Sequence, residues 1–181
     1  MLLLNKLREK ALFLALSVII LLSGCGTVQI YSGARKIKHI YIAPVTNKTP
    51  EEGADIFFSK AADETFYTDA RFMVDETPIP DETIVIKPSV ITVSTYSVGY
   101  NINDQAVEYK VTVTAVIKLI KYGYKKPFKT LNISGYQFYS GTGAPAEIER
   151  RKKEAIEIAA KKIFRKLAEK LLEERESGKI N

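Results

Sequence analysis

Apolar and polar residues alternate with a period of two over residues 105–122. Val107, Tyr109, Val111, Val113, Ala115, Ile117 and Leu119 share one face. Glu108, Lys110, Thr112, Thr114 and Lys118 share the other, interrupted by Val116 and Ile120. Such sustained alternation predicts a long antiparallel strand with one buried face. Residues 83–100, rich in Ile, Val, Thr and Tyr, read as its partner. Asn101-Ile102-Asn103-Asp104 between them has the composition of a hairpin tip. Residues 128–139 read as a further strand, with Gly135 as a candidate bulge. Residues 36–45 read as the first strand, ended by Pro44, and residues 71–74 as a short extended piece.

In two stretches the period becomes 3.6. Ala54, Phe57, Phe58, Ala61, Ala62, Thr65 and Phe66 mark one face of a helix ending near residues 67–69. Its predicted start is a capping box, with Thr49 at the N-cap, Pro50 at the first helical position and Glu52 at the third. Pro145 opens a second, longer helix with the buried stripe Ile148, Ala155, Ile156, Ala159, Ile163, Leu167 and Leu171. It frays near Ser177-Gly178. The predicted order is β-α-β-β-β-α. Elements with one apolar face each pack in two layers. The expectation is an α+β two-layer sandwich, with two helices on one face of a four-stranded, mainly antiparallel sheet. Residues 36–176 form its single domain and residues 177–181 a frayed tail.

The first 24 residues follow another logic. Lys6, Arg8 and Lys10 precede a run of about twelve mostly apolar residues, closed by Leu22-Ser23-Gly24-Cys25. At 1.5 Å per residue the run spans about 18 Å. A bilayer core needs about 30 Å, so a cleaved signal peptide fits better than a membrane span. An aliphatic residue, two small ones and a cysteine resemble the lipobox of bacterial lipoproteins. That resemblance implies cleavage between Gly24 and Cys25, a diacylglycerol on the Cys25 thiol and acylation of its new amine. Several acyl chains anchor a protein stably. Residues 25–35 would be the lipidated N-terminus and tether. Gly26, rather than Asp, follows the cysteine and favours the outer membrane.

Composition narrows the function. The chain has 27 Lys and Arg, 21 Asp and Glu, one His and one Cys. Removing three bases and one acid with the signal peptide takes the formal charge from +6 to +4. With its only cysteine acylated, the mature chain forms no internal disulfide. The mild positive charge suits an anionic partner such as phosphorylated lipid. An exported chain does not meet nucleic acid.

Catalytic chemistry finds little to work with. His39, the only histidine, lies in a predicted strand. No His or Cys spacing suits a metal, and Gly141-Thr142-Gly143 lacks the lysine and later glycine of a phosphate loop. No catalytic residue, metal or cofactor is therefore expected. Two other features offer binding. The last helix carries Arg150, Arg151, Lys152 and Lys153, then Lys161, Lys162, Arg165 and Lys166. Favourable i,i+4 pairs such as Glu149 with Lys153 explain a solvated face. Arg is the better phosphate fork, which makes Arg150 and Arg151 the preferred anion contacts. Val116, Ile120, Tyr122, Tyr124 and Tyr136 could leave apolar and aromatic area uncovered on the outer sheet face, as a protein interface would.

Three stretches carry a family resemblance. Gln105-Ala106-Val107-Glu108-Tyr109-Lys110-Val111 resembles the A-E-Y segment of LPS-assembly lipoproteins, the LptE family. Ile158-Ala159-Ala160 with Phe164-Arg165-Lys166-Leu167 is similar to that family's closing helix. Leu22-Ser23-Gly24-Cys25-Gly26 resembles its lipobox. The resemblance implies a non-enzymatic, lipid-anchored protein on the periplasmic side of the outer membrane. It would sit as plug and assembly partner in the lipopolysaccharide-export β-barrel and bind lipopolysaccharide. Family members use basic residues near the hairpin tip and the loop before the last helix. Here Asn101, Ile102, Asn103 and Asp104 include no Arg or Lys, and residues 140–146 are uncharged. Arg150, Arg151 and Lys152, one turn into the helix, become the candidate lipopolysaccharide contacts. The tip is expected to face the ligand or the barrel. Two other readings stay open: a lipoprotein module of a secretion or pilus apparatus, and an envelope hydrolase with a cleft of perturbed carboxylates.

Overall fold

The structure, a computed structural model, describes residues 38–176. The signal peptide, Cys25, the tether and residues 177–181 lie outside the described residues. The elements are β1 (Lys38–Ile42), β2 (Thr46–Asn47), α1 (Ala54–Phe66), β3 (Phe72–Val74), β4 (Ile84–Tyr100), β5 (Ala106–Lys121), β6 (Lys129–Ser140) and α2 (Pro145–Glu176). The sheet order is β3-β1-β4-β5-β6, with β2 also paired to β4. β1 runs parallel to β3 and β4, and β4, β5 and β6 form an antiparallel meander.

The α+β class holds, but the sheet is mixed and has six strands rather than four. The extra strands have local causes. Pro44 cannot donate to a ladder, so the first strand breaks after Ile42. Ala43 still donates to the Ile86 carbonyl at 2.9 Å, and the chain rejoins β4 at Thr46↔Ser89 as β2. The extended piece at residues 71–74 is β3, whose Phe72 side chain is buried.

The meander obeys its alternation. Val111, Val113, Ala115, Ile117 and Leu119 are buried together with Ile40, Ile86 and Val90. Both helices close over this face. From α1 come Ala54, Phe58, Ala61, Ala62 and Phe66. From α2 come Ala155, Ile156, Ala159, Ala160, Ile163, Phe164, Leu167, Ala168 and Leu171. That stripe is wider than the sequence predicts, because α2 meets the sheet with one side and α1 with the other. Ile148, at its amino end, is only half-buried. Edge-to-face rings tie the layers: Phe58 to Phe164 at 5.8 Å, Phe66 to Phe164 at 6.2 Å and Phe66 to Phe72 at 5.1 Å.

Two local expectations are corrected. α1 begins at Ala54, with Gly53 at its N-cap and no side-chain cap. Thr49 is occupied elsewhere: its N–H and hydroxyl donate to Asn47 Oδ1 at 2.9 and 2.8 Å, and Asn47 Nδ2 donates to the Glu51 carbonyl at 2.7 Å. This closed turn uses the groups a capping box needs. Gly53 then turns the chain with φ 74°, a conformation glycine adopts at no steric cost.

Gly135 is not a bulge. The β5–β6 register runs unbroken from Leu119↔Lys129 to Glu108↔Ser140. The irregularities lie on the β4 side, between Val90 and Thr92 and between Ser97 and Tyr100. Gly135 is instead where α2 comes down on the sheet. A Cβ there would overlap the Ala159 carbonyl oxygen and stand 3.1 Å from Ile163 Cγ1. Helix backbone meets strand backbone only because no side chain intervenes.

β6 is a sheet edge, and α2 covers part of it. Gly141 donates to the Val107 carbonyl at 2.8 Å, so odd-numbered residues of β6 pair with β5 and even-numbered ones point outward. Lys162 Nζ donates to the Tyr136 carbonyl and to Gln137 Oε1, each at 2.9 Å, and Lys166 Nζ to the Ser134 carbonyl at 2.9 Å. Two like charges one helical turn apart disfavour each other slightly. Here each finds acceptors that would otherwise template strand addition.

Gly135→Ala should lower stability by about 1–3 kcal/mol, read as a shift in denaturation midpoint. An unchanged midpoint would mean that α2 stands off the sheet. Lys162→Ala with Lys166→Ala should leave the circular dichroism spectrum intact while light scattering reports dimers or larger species. A strictly monomeric double variant would show that the lysines do not guard the edge.

Candidate functional site

The β4–β5 hairpin runs past the end of β6. β5 and β6 last pair at Glu108↔Ser140, while β4 and β5 continue to Tyr100↔Ala106. The tip beyond is a fixed loop. Asn101 Oδ1 accepts the N–H groups of Asn103 at 2.9 Å and Gln105 at 3.0 Å, and Asn101 Nδ2 donates to Gln105 Oε1 at 2.9 Å. Asp104 turns with φ 58°. Ile102, at the apex, is 100% exposed, an apolar side chain presented by a polar scaffold.

The loop before α2 packs beside the base of this hairpin. A Cβ at Gly141 would overlap the Tyr109 ring. Tyr109 stacks on Tyr139 with centroids 5.4 Å apart. Burial raises the Tyr139 phenol above its usual range, although a hydrogen bond with Thr95 opposes this. Hairpin and loop therefore stand at one end of the sheet.

The three candidate basic contacts are all engaged by the chain itself. Arg150 is exposed and bonds Glu147 at 3.0 Å and Glu154 on the next turn. Its hydrogen bond holds the Glu147 carboxyl below the usual carboxylate range. Arg151 folds back to donate to the Thr142 carbonyl, and its Nε is buried with no hydrogen-bond partner. Lys152 bridges to Glu51 at 2.7 Å, tying α2 to the turn before α1. Burial pulls the Lys152 pKa down, but Glu51 outweighs it, so the ammonium stays charged to higher pH than usual.

His39 sits in β1 and meets Asp75 Oδ1 at 2.9 Å. Asp75 Oδ2 accepts from the Thr83 hydroxyl at 2.6 Å, and Thr83 Oγ1 accepts from Ile79 N–H at 2.8 Å. This string resembles a catalytic triad only in residue type. The Thr83 hydroxyl is fully buried and donates to the acid, so it stitches a loop to the sheet. Among the described residues no group of three or more His, Cys, Asp or Glu is placed to hold a metal, and no helix is long and apolar enough to cross a membrane. A cavity of about 530 Å³ between the end of α1 and the middle of α2 includes Glu64, Asp69, Arg71, Lys161, Arg165 and Glu169 in its lining. Its charges largely neutralise one another, through Arg71 with Asp69 and Lys161 with Glu64.

The outer face of the sheet only partly matches expectation. Tyr122, Tyr124 and Tyr136 are exposed, Val116 is half-buried, and Ile120 is buried with Ala43 and Val85 in a small cluster against Tyr41. Sequence reasoning missed the neighbours that register supplies. Lys87 lies directly opposite Lys118, and Tyr96 opposite Lys110, which in turn faces Phe138. Lys110 Nζ stands 4.3 Å from the Tyr136 ring centroid. Alternation along β5 identifies Lys110 and Lys118 as outward-facing. Their β4 partners are set by the irregularities in that strand, which carry no plain sequence signal.

Two solved structures are similar to this chain at low identity. A hypothetical protein from Chlamydia trachomatis matches 74% of this chain and 95% of its own, at 10% identity and a TM-score of 0.50. Rare lipoprotein B from Shewanella oneidensis matches 74% of this chain and 97% of its own, at 14% identity and a TM-score of 0.43. No curated protein matches by sequence. The family model described as LptE, lipopolysaccharide-assembly, matches residues 37–171, from the first strand to the last buried turn of α2. The chain belongs to the LptE family of lipopolysaccharide-assembly proteins.

Proposed function

We propose that this chain is an outer-membrane lipoprotein that acts as plug and assembly partner of the lipopolysaccharide-export β-barrel and binds lipopolysaccharide on its way to the outer leaflet. It does so without catalysis. Acyl chains on Cys25, after cleavage behind Gly24, hold it on the periplasmic side. The observation that carries this reading is the family match, which spans the folded domain rather than a fragment of it. The projecting hairpin adds to it. A loop fixed by Asn101 and topped by the bare Ile102 suits insertion into another protein's interior, where burial of an isoleucine contributes about 1.5–3 kcal/mol.

Lipopolysaccharide would be met at the same end of the domain, by the amino turns of α2. The phosphates of such a ligand compete with Glu147 and Glu154 for Arg150, and with the Thr142 carbonyl for Arg151. Bidentate arginine contacts to phosphate are stronger than neutral hydrogen bonds.

Acylated protein extracted gently from native membranes should bring down a large β-barrel protein, identified by mass spectrometry. Extraction that recovers the lipoprotein alone would overturn the docking half of the proposal. Arg150→Glu with Arg151→Glu should weaken lipopolysaccharide binding, with a smaller difference from wild type at high salt. Equal affinities at low salt would remove these two residues as contacts while leaving the docking role untouched.

A further inference from the structure

The face of the sheet turned away from the helices is a strip with its own chemistry. Along it, the register places Lys87, Lys118 and Thr130 in one row, then Ser89, Val116 and Asn132, then Thr92, Thr114 and Ser134. Ser94, Thr112 and Tyr136 follow, and then Tyr96, Lys110 and Phe138. From the first row to the last is eight residues of β5, about 26 Å of strand, across a width of about 10 Å. No Asp or Glu falls in these rows. Hydroxyls, one amide and the half-buried Val116 fill the middle, with Thr114 Oγ1 and Ser134 Oγ 2.9 Å apart. At the upper end Tyr96, Tyr136 and Phe138 are 63%, 47% and 44% exposed.

Ser and Thr are ordinary on a solvated sheet face, but a directly opposed pair of like charges is not. Opposite charges across strands stabilise, and like charges directly opposite destabilise. Lys87 and Lys118 face each other, both exposed, and among the described residues neither has an ion-pair or hydrogen-bond partner. The cost of that pair is recovered when an anion lies between them. The field of hydroxyls then decides what else the anion carries. An acyl chain or bilayer interior laid on this strip would strip water from Ser and Thr hydroxyls without replacing their hydrogen bonds. A sugar chain replaces them, and its flat faces stack on exposed aromatic rings. An extended strip also suits an extended ligand better than a compact headgroup.

We infer that the uncovered face of β4, β5 and β6 binds an acidic oligosaccharide. Lys87 and Lys118 hold its anionic group, the Ser and Thr rows take its hydroxyls, and Tyr96, Tyr136 and Phe138 support its rings. This deepens the proposed function, on which it rests for the cargo's identity, by giving the saccharide part of that cargo a place separate from α2. The anionic group is a phosphate or a carboxylate, two sources with the same recognition chemistry.

The full-length acylated protein in neutral detergent can be titrated with deacylated, phosphorylated lipopolysaccharide oligosaccharide, with the same saccharide dephosphorylated and carboxyl-reduced to remove its charge, with oligogalacturonate and with phosphatidylglycerol vesicles. The expected result is saturable, salt-sensitive binding of an acidic oligosaccharide, roughly tenfold weaker in Lys87→Gln with Lys118→Gln, the size of one lost charge-assisted contact. Phosphorylated saccharide alone binding identifies phosphate as the anion, and oligogalacturonate binding equally well extends the site to carboxylates. Tyr136→Ala with Phe138→Ala should weaken both. The lysine variant should melt no lower than wild type, since it removes repulsion, which separates lost binding from lost folding. Binding of vesicles but of no oligosaccharide overturns the inference, as does acidic-oligosaccharide binding that the lysine variant leaves unchanged or an uncharged saccharide that binds equally well. These outcomes leave barrel co-purification where it stands, so the inference and the docking proposal can fail separately.

Discussion

Gly135 under Ala159 is the contact on which the arrangement turns. At that point α2 rests its backbone on β6, and small residues extend the seam through Ala155, Ala160 and Ala168. A helix this close to the sheet can reach around it. Lys162 and Lys166 leave α2 on the edge side and meet carbonyls of β6, which a helix held farther off could not do. The same closeness lets Ile163 and Phe164 enter the core from adjacent positions, one toward the sheet and one toward Phe58 and Phe66 of α1. One missing Cβ therefore sets the layer spacing, the aromatic core and the state of the exposed edge.

With both helices committed to one face, the other face and the far end of the hairpin are left for partners. These two surfaces differ in kind. The hairpin end is shaped by backbone hydrogen bonding around Asn101 and presents one bare aliphatic residue. The sheet face is broad, hydroxyl-rich and free of acids in its central rows. The arginines at the start of α2 are unlike either, because each is already held by the chain. Arg150 is balanced by two glutamates and Arg151 by the Thr142 carbonyl. A ligand at that helix end must compete with internal partners, whereas one on the sheet face meets Lys87 and Lys118, which have none among the described residues. The two proposed modes of recognition in one small domain would follow from packing both described helices on the same side.

Much of this architecture was legible in the chain because it depends on periodicity. Alternation along β5 and the 3.6-residue repeat of α2 follow directly from burial, and burial is what the apolar pattern encodes. The parts that were not legible depend on competition or on register. Thr49, Pro50 and Glu52 spell a capping box, but Asn47 two residues earlier takes the Thr49 hydroxyl first, and α1 starts one turn late at Gly53. Gly135 has the same signature as a bulge, and only the height of α2 above the sheet distinguishes the two. The Arg150 cluster reads as free positive charge in one dimension, since Glu147 and Glu154 count against it only once the helix brings them within a turn. Lys87 and Lys118 are 31 positions apart in sequence, and nothing short of the β4–β5 register puts them side by side.

That last point bears on how a protein of this size carries charge. A formal charge of +6 over the whole chain says little about where an anion would bind, because many of the cations among the described residues are paired within the fold. Lys60 and Lys161 are bound to Glu157 and Glu64, Lys152 to Glu51, and Lys162 and Lys166 to the β6 edge. Cations consumed in holding helices to one another and to the sheet have no field to spare for a ligand. On the opposite face Lys87 and Lys118 have no such duties among the described residues. The separation of structural from available charge is thus a consequence of the two-layer fold: the covered side uses its lysines as fasteners, and the open side keeps its own for what comes from outside.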